Sequence, residues 1–378
     1  MSPSRARPPG GQSDARAAPW QCKIVLYSAR EMIYDLTIRG AGIFGLSIAW
    51  EATNRGAKVQ IIDPNGAGSG ASGGIVGALQ PHTPDRWNAK KQYQLESLLM
   101  AEDFWRSVDE TSGLTSGYAR IGRVQPLMNE RGLALATERK TDAKARWGLA
   151  ASWQITRDAG AWNLPSPTGL YLHDTLSAIV NPNHATKSLV QALKSRGVPI
   201  LTKAPEKGAT VWATGWQGLR DLSKHFDQDI GGSEKGQAAL LRCNAVGRPQ
   251  VFADGLHIIP HLDGTVAVGS TSERSFDAAT TTDSQLDTIV ERARKTIPIL
   301  QDAAILTRWA GVRPRAASRA PLLGPWPNRP NHFIANGGFK IGFGMAPKIA
   351  HTMCDLILNQ NNAIPDDFLF LLGKNISG

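Results

Sequence analysis

"DLTIRGAGIFGLSIAWEATNRGAKVQIID" (residues 35–63) contains Gly40, Gly42 and Gly45 in the spacing GxGxxG. The spacing alone says little. Glycine makes up 38 of 378 residues, and "GSGASG" at Gly68, Gly70 and Gly73 fits the same pattern. Context separates the two. Leu36, Thr37 and Ile38 make a β-prone lead into Gly40, and Leu46 to Asn54 contains neither Gly nor Pro. A turn and a second β-prone segment, Val59 to Ile62, follow, and Asp63 lies 18 residues beyond Gly45. Strand, glycine turn, helix, strand and acid, in that order, predict a dinucleotide-binding βαβ unit rather than an ordinary βαβ turn. Gly40 permits the tight turn, Gly42 lets the backbone approach a pyrophosphate, and Gly45 lets helix and strand pack closely. The helix N-terminus offers N–H groups and a positive dipole end to phosphates. Asp63 can accept hydrogen bonds from a ribose. The second glycine run has no strand leading directly into it and reads as a loop.

Outward from this unit, the length suits two domains, or one with a large insertion. Hydrophobic residues make up 42%, and no run is long enough to span a membrane. Cys22, Cys243 and Cys354 are widely separated and form neither a metal pattern nor a disulfide framework, so a reducing, cytoplasmic setting is expected. The eight histidines lack metal-ligand spacing, so no metal is expected. Residues 1–31, rich in Pro, Ser, Arg and Ala, are expected to be disordered, and Met32 offers an alternative start. The net charge is +10, of which that segment supplies +3. Between Ala303 and Cys354 lie seven basic residues and no acid. This stretch is either a solvated face or the surroundings of an anionic ligand.

Residues 90–113 read as one long amphipathic helix, and "ARIGRVQPLM" and "GLYLHD" as strands. "NHATKSLVQALKSRGVPIL" reads as helix then strand, closed by Gly197. "GLHIIPHLDGTVAVGSTSE" predicts a hairpin turning at Asp263-Gly264, and "SQLDTIVERARKTIPIL" a helix. "FIANGGFKIGFGMAPKIAHTMCDLIL" reads as strand, glycine loop, helix. The α/β segments at the start, middle and end have β-rich segments between them. The expected fold is α/β: a discontinuous Rossmann-like domain with an inserted, largely antiparallel β domain.

Eight local patterns in one order resemble the FAD-dependent amino-acid oxidase superfamily of D-amino acid oxidase, glycine oxidase and sarcosine oxidase. Besides the βαβ unit they are "GASGGIVGALQP" (70–81), "IVNPNHATKSLVQALKSRGV" (179–198), "VWATG" (211–215), "KGQAALLR" (235–242), "HIIPHLDGTVAVGST" (257–271), "WAGVRPRAASRAPLLG" (309–324) and "GGFKIGFGMAP" (337–347). The resemblance runs from Ile33 to about Leu358. It implies an FAD-binding domain from residues 32–86, 180–220 and 310–365, and a substrate domain from 87–179 and 221–309. It implies that Gly40, Gly42, Gly45 and Asp63 hold the ADP half of FAD. Ser72, Gly77, Ala78 and Leu79 would lie near the pyrophosphate and flavin ring, and Thr214 and Gly215 would return to the cofactor. The loop Gly338, Phe339, Lys340, Ile341 and Gly342 would cover the pyrimidine side, unless it is a plain strand–helix connection.

The implied reaction is oxidation of the C–N bond of a small amino acid or N-alkyl amino acid: hydride passes to flavin N5, and the imine hydrolyses. No catalytic acid–base pair is required. Arg313, Lys340, Trp309 and His257 are the candidates for the substrate pocket. Arg313 stands where glycine and D-amino acid oxidases hold an arginine for the substrate carboxylate; the competing reading is one more surface charge. Lys340 would share that carboxylate by analogy with sarcosine oxidases. His257 aligns with a tyrosine of glycine oxidase and either contacts substrate or simply sits in a strand. Two departures stand out. The segment between Val198 and Val211 is short, so the β-ribbon often found there is expected to be trimmed. Sarcosine oxidases attach flavin through a cysteine just after the equivalent of "AGV"; Arg313-Pro314-Arg315 stands here, so FAD is expected to be non-covalent. Two alternatives share the cofactor: an oxidoreductase maturing wobble uridine in tRNA, favoured slightly by the basic charge, and a non-catalytic flavin-binding or electron-transfer subunit. Oxygen, a quinone and a partner protein all remain open as electron acceptor.

Overall fold

The apolar β-prone segments around Gly40 become strand β1 (Leu36–Arg39), helix α1 (Ile43–Asn54) and strand β2 (Val59–Ile62). The structure is a computed structural model that describes residues 33–370, so the expected disorder of residues 1–31 and the alternative start at Met32 lie outside the described residues. The chain continues through β3 (Ala78–Leu79), α2 (Ala89–Ser112), β4 (Arg123–Pro126), α3 (Glu130–Trp147), β5 (Trp153–Thr156), β6 (Tyr171–Asp174) and β7 (Ala178–Ile179). Next come α4 (Pro182–Ser195), β8 (Ile200–Leu201), β9 (Ala209–Trp212), α5 (Gly215–Phe226), β10 (Gly231–Arg242), β11 (Gln250–Ala253), β12 (Leu256–Pro260) and β13 (Thr265–Gly269). The last elements are α6 (Ser284–Thr296), β14 (Ile305–Ala316), β15 (Leu322–Pro325), β16 (His332–Asn336) and α7 (Gly342–Asn359).

Two large sheets form. The six-stranded one runs β15-β16-β9-β1-β2-β8. It is parallel except for β15, which pairs antiparallel with β16. The eight-stranded one runs β14-β10-β13-β12-β11-β4-β6-β5 and is antiparallel except at β11–β4. The first sheet gathers strands from three separated stretches of chain, which makes it discontinuous. Strand β14 crosses residue 310 without a break. No strand intervenes between β8 and β9.

Local chemistry explains the ends of the elements. The side chain of Asn88 accepts from the N–H of Lys91 to start α2, and Gly113 ends it with φ +70°. Asn181 caps α4, with Pro182 in its first turn. Apolar on nearly every face, α1 is buried by α7 and α4; Leu46, Ile48, Leu98, Trp105, Leu189 and Met353 belong to one core. The eight-stranded sheet alternates. Leu241, Ile258, Val266 and Val268 pack with Leu286, Ile289 and Val290 of α6. Ala238, Ile259 and Ala267 face the other way, toward Ile75, Ile179 and Trp309. No described helix is long and apolar enough to cross a membrane.

Candidate active site

Three turns follow the carboxyl ends of the parallel strands β1, β9 and β16, where open α/β sheets bind ligands. In the first, Gly40 has φ +104°, and a Cβ there would lie 2.3 Å from the carbonyl oxygen of Ala213. A Cβ on Gly45 would lie 1.9 Å from the oxygen of Gly40. Gly42 differs: its Cβ would meet only Ser72 Oγ, at 3.3 Å. Space is therefore left at the N-terminus of α1, which has no acid in its first turn and no side-chain cap from Gly42. Ser72 reaches that terminus from the second glycine run, its Oγ accepting from the N–H of Ile43 at 2.9 Å. The run itself forms a short 3-10 turn, Ala71–Gly73. Asp63 accepts from Ala41 N at 2.7 Å and from Asn65 N at 2.9 Å, so its carboxylate braces the turn.

Thr214 and Gly215 open α5 directly beside Gly40, whose added Cβ would lie 3.3 Å from Thr214 Cα. In the third turn Phe339 has φ +43° and donates its N–H to Pro314 O at 3.0 Å, tying the loop to β14. Ile341 N donates to Gly338 O at 3.0 Å, and Gly342 begins α7. Gly338 lies against Phe44, whose Cζ a Cβ would meet at 2.7 Å. Gly77 lies against Val180, whose oxygen would be 2.1 Å from a Cβ, and Ala78 and Leu79 pair with β7. The Leu79 side chain is buried in the main core.

Opposite these turns lies β14. The indole of Trp309 covers Gly311, where a Cβ would come within 2.4 Å of Cζ2, and reaches Gly74 at 3.2 Å on the same measure. Arg313 donates through Nη2 to Ser270 Oγ at 2.6 Å and through Nη1 to Thr271 O at 3.3 Å. Both acceptors are neutral. Its cross-strand neighbour Glu234 pairs with Lys340 at 3.2 Å instead. Lys340 Nζ also donates to Ser272 Oγ at 2.6 Å, so two of the three hydrogens of the ammonium expected to share a substrate carboxylate are engaged. Burial lowers the pKa of Arg313, with Glu234 and Glu273 opposing; the guanidinium stays charged. Burial resists ionisation of Glu234, but Ser272, Lys340 and Arg313 outweigh it and hold its carboxyl below the usual range.

His257 is held in a network the sequence reading did not anticipate. Gln80 Nε2 approaches His257 Nδ1 at 3.2 Å and donates to Gln250 Oε1 at 2.8 Å. Gln80 Oε1 accepts from Arg123 Nη1 at 3.1 Å, and Arg123 Nε pairs with the buried Asp174 at 2.8 Å. Burial, reinforced by Arg123, Lys340 and Arg313, pushes His257 down to about 4, so it is neutral at pH 7. The available signals were Gln80 directly after "GAL" and a charged Arg123 inside a β-prone segment.

The family profile for FAD dependent oxidoreductases (DAO) matches residues 35–356. The chain belongs to this family. It is 27% identical over 361 residues to a glycine oxidase of Pseudomonas aeruginosa, covering 87% of this chain and 96% of that one. It is 26% identical to a bifunctional ThiO/ThiG protein of Nostoc, covering 88% of this chain and 54% of that protein. In structure it is similar to the crystal structure of glycine oxidase from Geobacillus kaustophilus, with a TM-score of 0.78 at 21% identity, covering 90% of this chain and 98% of that one. The protein is thus an FAD-dependent oxidoreductase.

Its residues fit that cofactor. A pyrophosphate needs backbone approach and N–H donors, and the space a Cβ on Gly42 would fill lies at the open end of α1.

Proposed function

We propose that this FAD-dependent oxidoreductase oxidises the C–N bond of a small amino acid or N-alkyl amino acid. The observation that carries the reading is Arg313: half-buried, charged, bonded only to neutral oxygens, and on the same sheet face as Trp309. A guanidinium so arranged keeps its charge for an incoming carboxylate, and its planar fork suits both oxygens. The similarity to glycine oxidases supports a small amino-acid substrate.

Bound FAD supplies the two-electron acceptor for hydride leaving the carbon beside the amine, and water then hydrolyses the imine. The chain's part is to bind and orient. Arg313 holds the carboxylate, Trp309 walls the pocket beside Gly74 and Gly311, and His257 contributes a neutral ring. Glu234 keeps Lys340 in place. No residue is assigned as a catalytic acid or base. The buried free thiols of Cys243 and Cys354 support a reducing, cytoplasmic setting.

Anaerobic flavin bleaching tests the reading against glycine, sarcosine, D- and L-amino acids and N-alkyl amino acids. Bleaching by at least one of these is expected. A flavin that none of them reduces overturns it, and salt-sensitive RNA binding would then favour the tRNA alternative.

A further inference from the structure

His257, Gly269, Ala238 and Trp309 form one row across β12, β13, β10 and β14. Directly opposed residues share a face, so His257 lies on the face that carries Trp309 and, four residues along β14, Arg313. Ser270, which accepts from Arg313, immediately follows Gly269. His257 and the Arg313 guanidinium therefore border the same patch.

The proton on His257 can be located by elimination. Arginine only donates, so the Gln80 atom facing Arg123 is the amide oxygen. Gln80 then turns its NH2 toward His257 and Gln250. Gln250 agrees, since its own Nε2 is occupied in donating to Ala178 O at 2.7 Å. A neutral imidazole that accepts at Nδ1 carries its hydrogen on Nε2. Asp174 anchors the chain by fixing Arg123. Among the described residues, Nε2 has no hydrogen-bond partner and is not a sealed, unsatisfied atom.

We infer that Gln80 is a positioning residue that fixes His257 as the Nε2–H tautomer, and that this N–H selects substrates bearing a second acceptor group besides the carboxylate held by Arg313. The selectivity part rests on the amino-acid oxidase reading; the tautomer part does not. With Arg313 as the charged donor and His257 as a neutral one, an added carboxylate or amide gains a hydrogen bond that an N-methyl or C-methyl group cannot make.

The test uses the flavin-loaded full chain labelled with 15N-histidine, with His257→Asn to assign the resonance. Long-range nitrogen–proton spectra at pH 7 should report His257 as neutral, protonated at Nε2. Gln80→Glu keeps the shape but puts an acceptor beside Nδ1, so Nδ1 should become protonated. A wild-type Nδ1–H form, or a tautomer unmoved by Gln80→Glu, overturns the assignment. Gln80→Leu supplies a second variant: it should leave the tautomer mixed. In turnover, His257→Phe should lower kcat/KM about tenfold more for iminodiacetate than for sarcosine, and about tenfold more for aspartate than for alanine. Equal losses within each pair overturn the selectivity. If neither member of either pair is oxidised by the wild type, the selectivity claim falls; the flavin-bleaching panel decides the oxidase reading separately, and the tautomer measurement still decides the role of Gln80.

Discussion

The guanidinium of Arg313 lies directly over Gly236: a Cβ there would sit 2.0 Å from Nη2 and 2.3 Å from Cζ. The two residues belong to neighbouring strands, β14 and β10, whose backbones are fixed by a long antiparallel ladder. The absent side chain of Gly236 is what lets Arg313 lie flat across the sheet to Ser270. Gly236→Ala should displace the guanidinium while leaving the backbone and FAD content near normal, because the clash is with the far end of a flexible side chain. Steady-state kinetics should give about a tenfold loss in kcat/KM, or about 1.4 kcal/mol. An alanine variant with wild-type kinetics would mean that the observed position of Arg313 is not the working one.

Arg313→Met should be more severe. Removing one member of a desolvated charge pair costs about 2–5 kcal/mol, which corresponds to a loss of roughly thirty-fold or more in kcat/KM. FAD occupancy should be unchanged, and an amine lacking a carboxylate should lose much less. Arg315→Met should be milder, since Arg315 lies 4.0 Å from Glu234 and is not the arginine that reaches Ser270. Retention of near-normal kcat/KM by Arg313→Met would remove the carboxylate assignment.

Gly42 and Gly45 should separate cofactor binding from folding. Gly42→Val presses only on Ser72 Oγ, 3.3 Å from its Cβ, but fills the space at the α1 N-terminus. It should purify folded and colourless, with the Tm of wild-type protein stripped of FAD. Gly45→Ala should melt below stripped wild type, because its Cβ would strike the oxygen of Gly40. Yellow, fully loaded Gly42→Val would mean that the pyrophosphate lies elsewhere. In the wild type, acid should release the flavin into solution. A chain that stays yellow after denaturation would contradict non-covalent attachment.

These contrasts mark what the sequence made legible. The β1–α1–β2 unit, the β12–β13 hairpin and the long α2 follow from local periodicity and turn chemistry, which act over a few residues. Helix α3 was not anticipated because its apolar stripe is thin: only Ala136, Ala143 and Trp147 are buried. Helix α5 begins at a glycine with φ +65°, which disguises its start. The second glycine run looked like a loop, yet its Ser72 completes the first turn from 29 residues away. The His257 network joins residues 43 to 177 positions apart, and no local pattern records such a distance. Sheet register alone brings these side chains together.

Two histidines give the protein a distinctive acid response. Burial holds His257 and His261 down to about 4. The cause is the same in kind at both. Asn181 accepts from His184 N through Oδ1, so its Nδ2 donates to His261 Nδ1 at 2.8 Å, just as Gln80 donates to His257. Protonating either ring would convert an acceptor nitrogen into a donor facing an amide NH2 and charge a buried group. The unfolded chain, with histidines near 6.5, therefore takes up protons first. Stability from these groups is complete above pH 6.5 and is lost as pH falls toward 4. Depressed carboxyls such as Asp85 and Asp355 start from 3.8 and act only at lower pH, so the interval between 4.5 and 6.5 belongs to histidine. His82 and His332, also lowered by burial, add in the same direction. Urea unfolding at a series of pH values should show stability falling across that interval by a few kcal/mol. His261→Asn should flatten the slope, whatever it does to stability at pH 7. A slope unchanged in that variant would show that His261 takes up its proton as readily in the folded protein as in the unfolded chain.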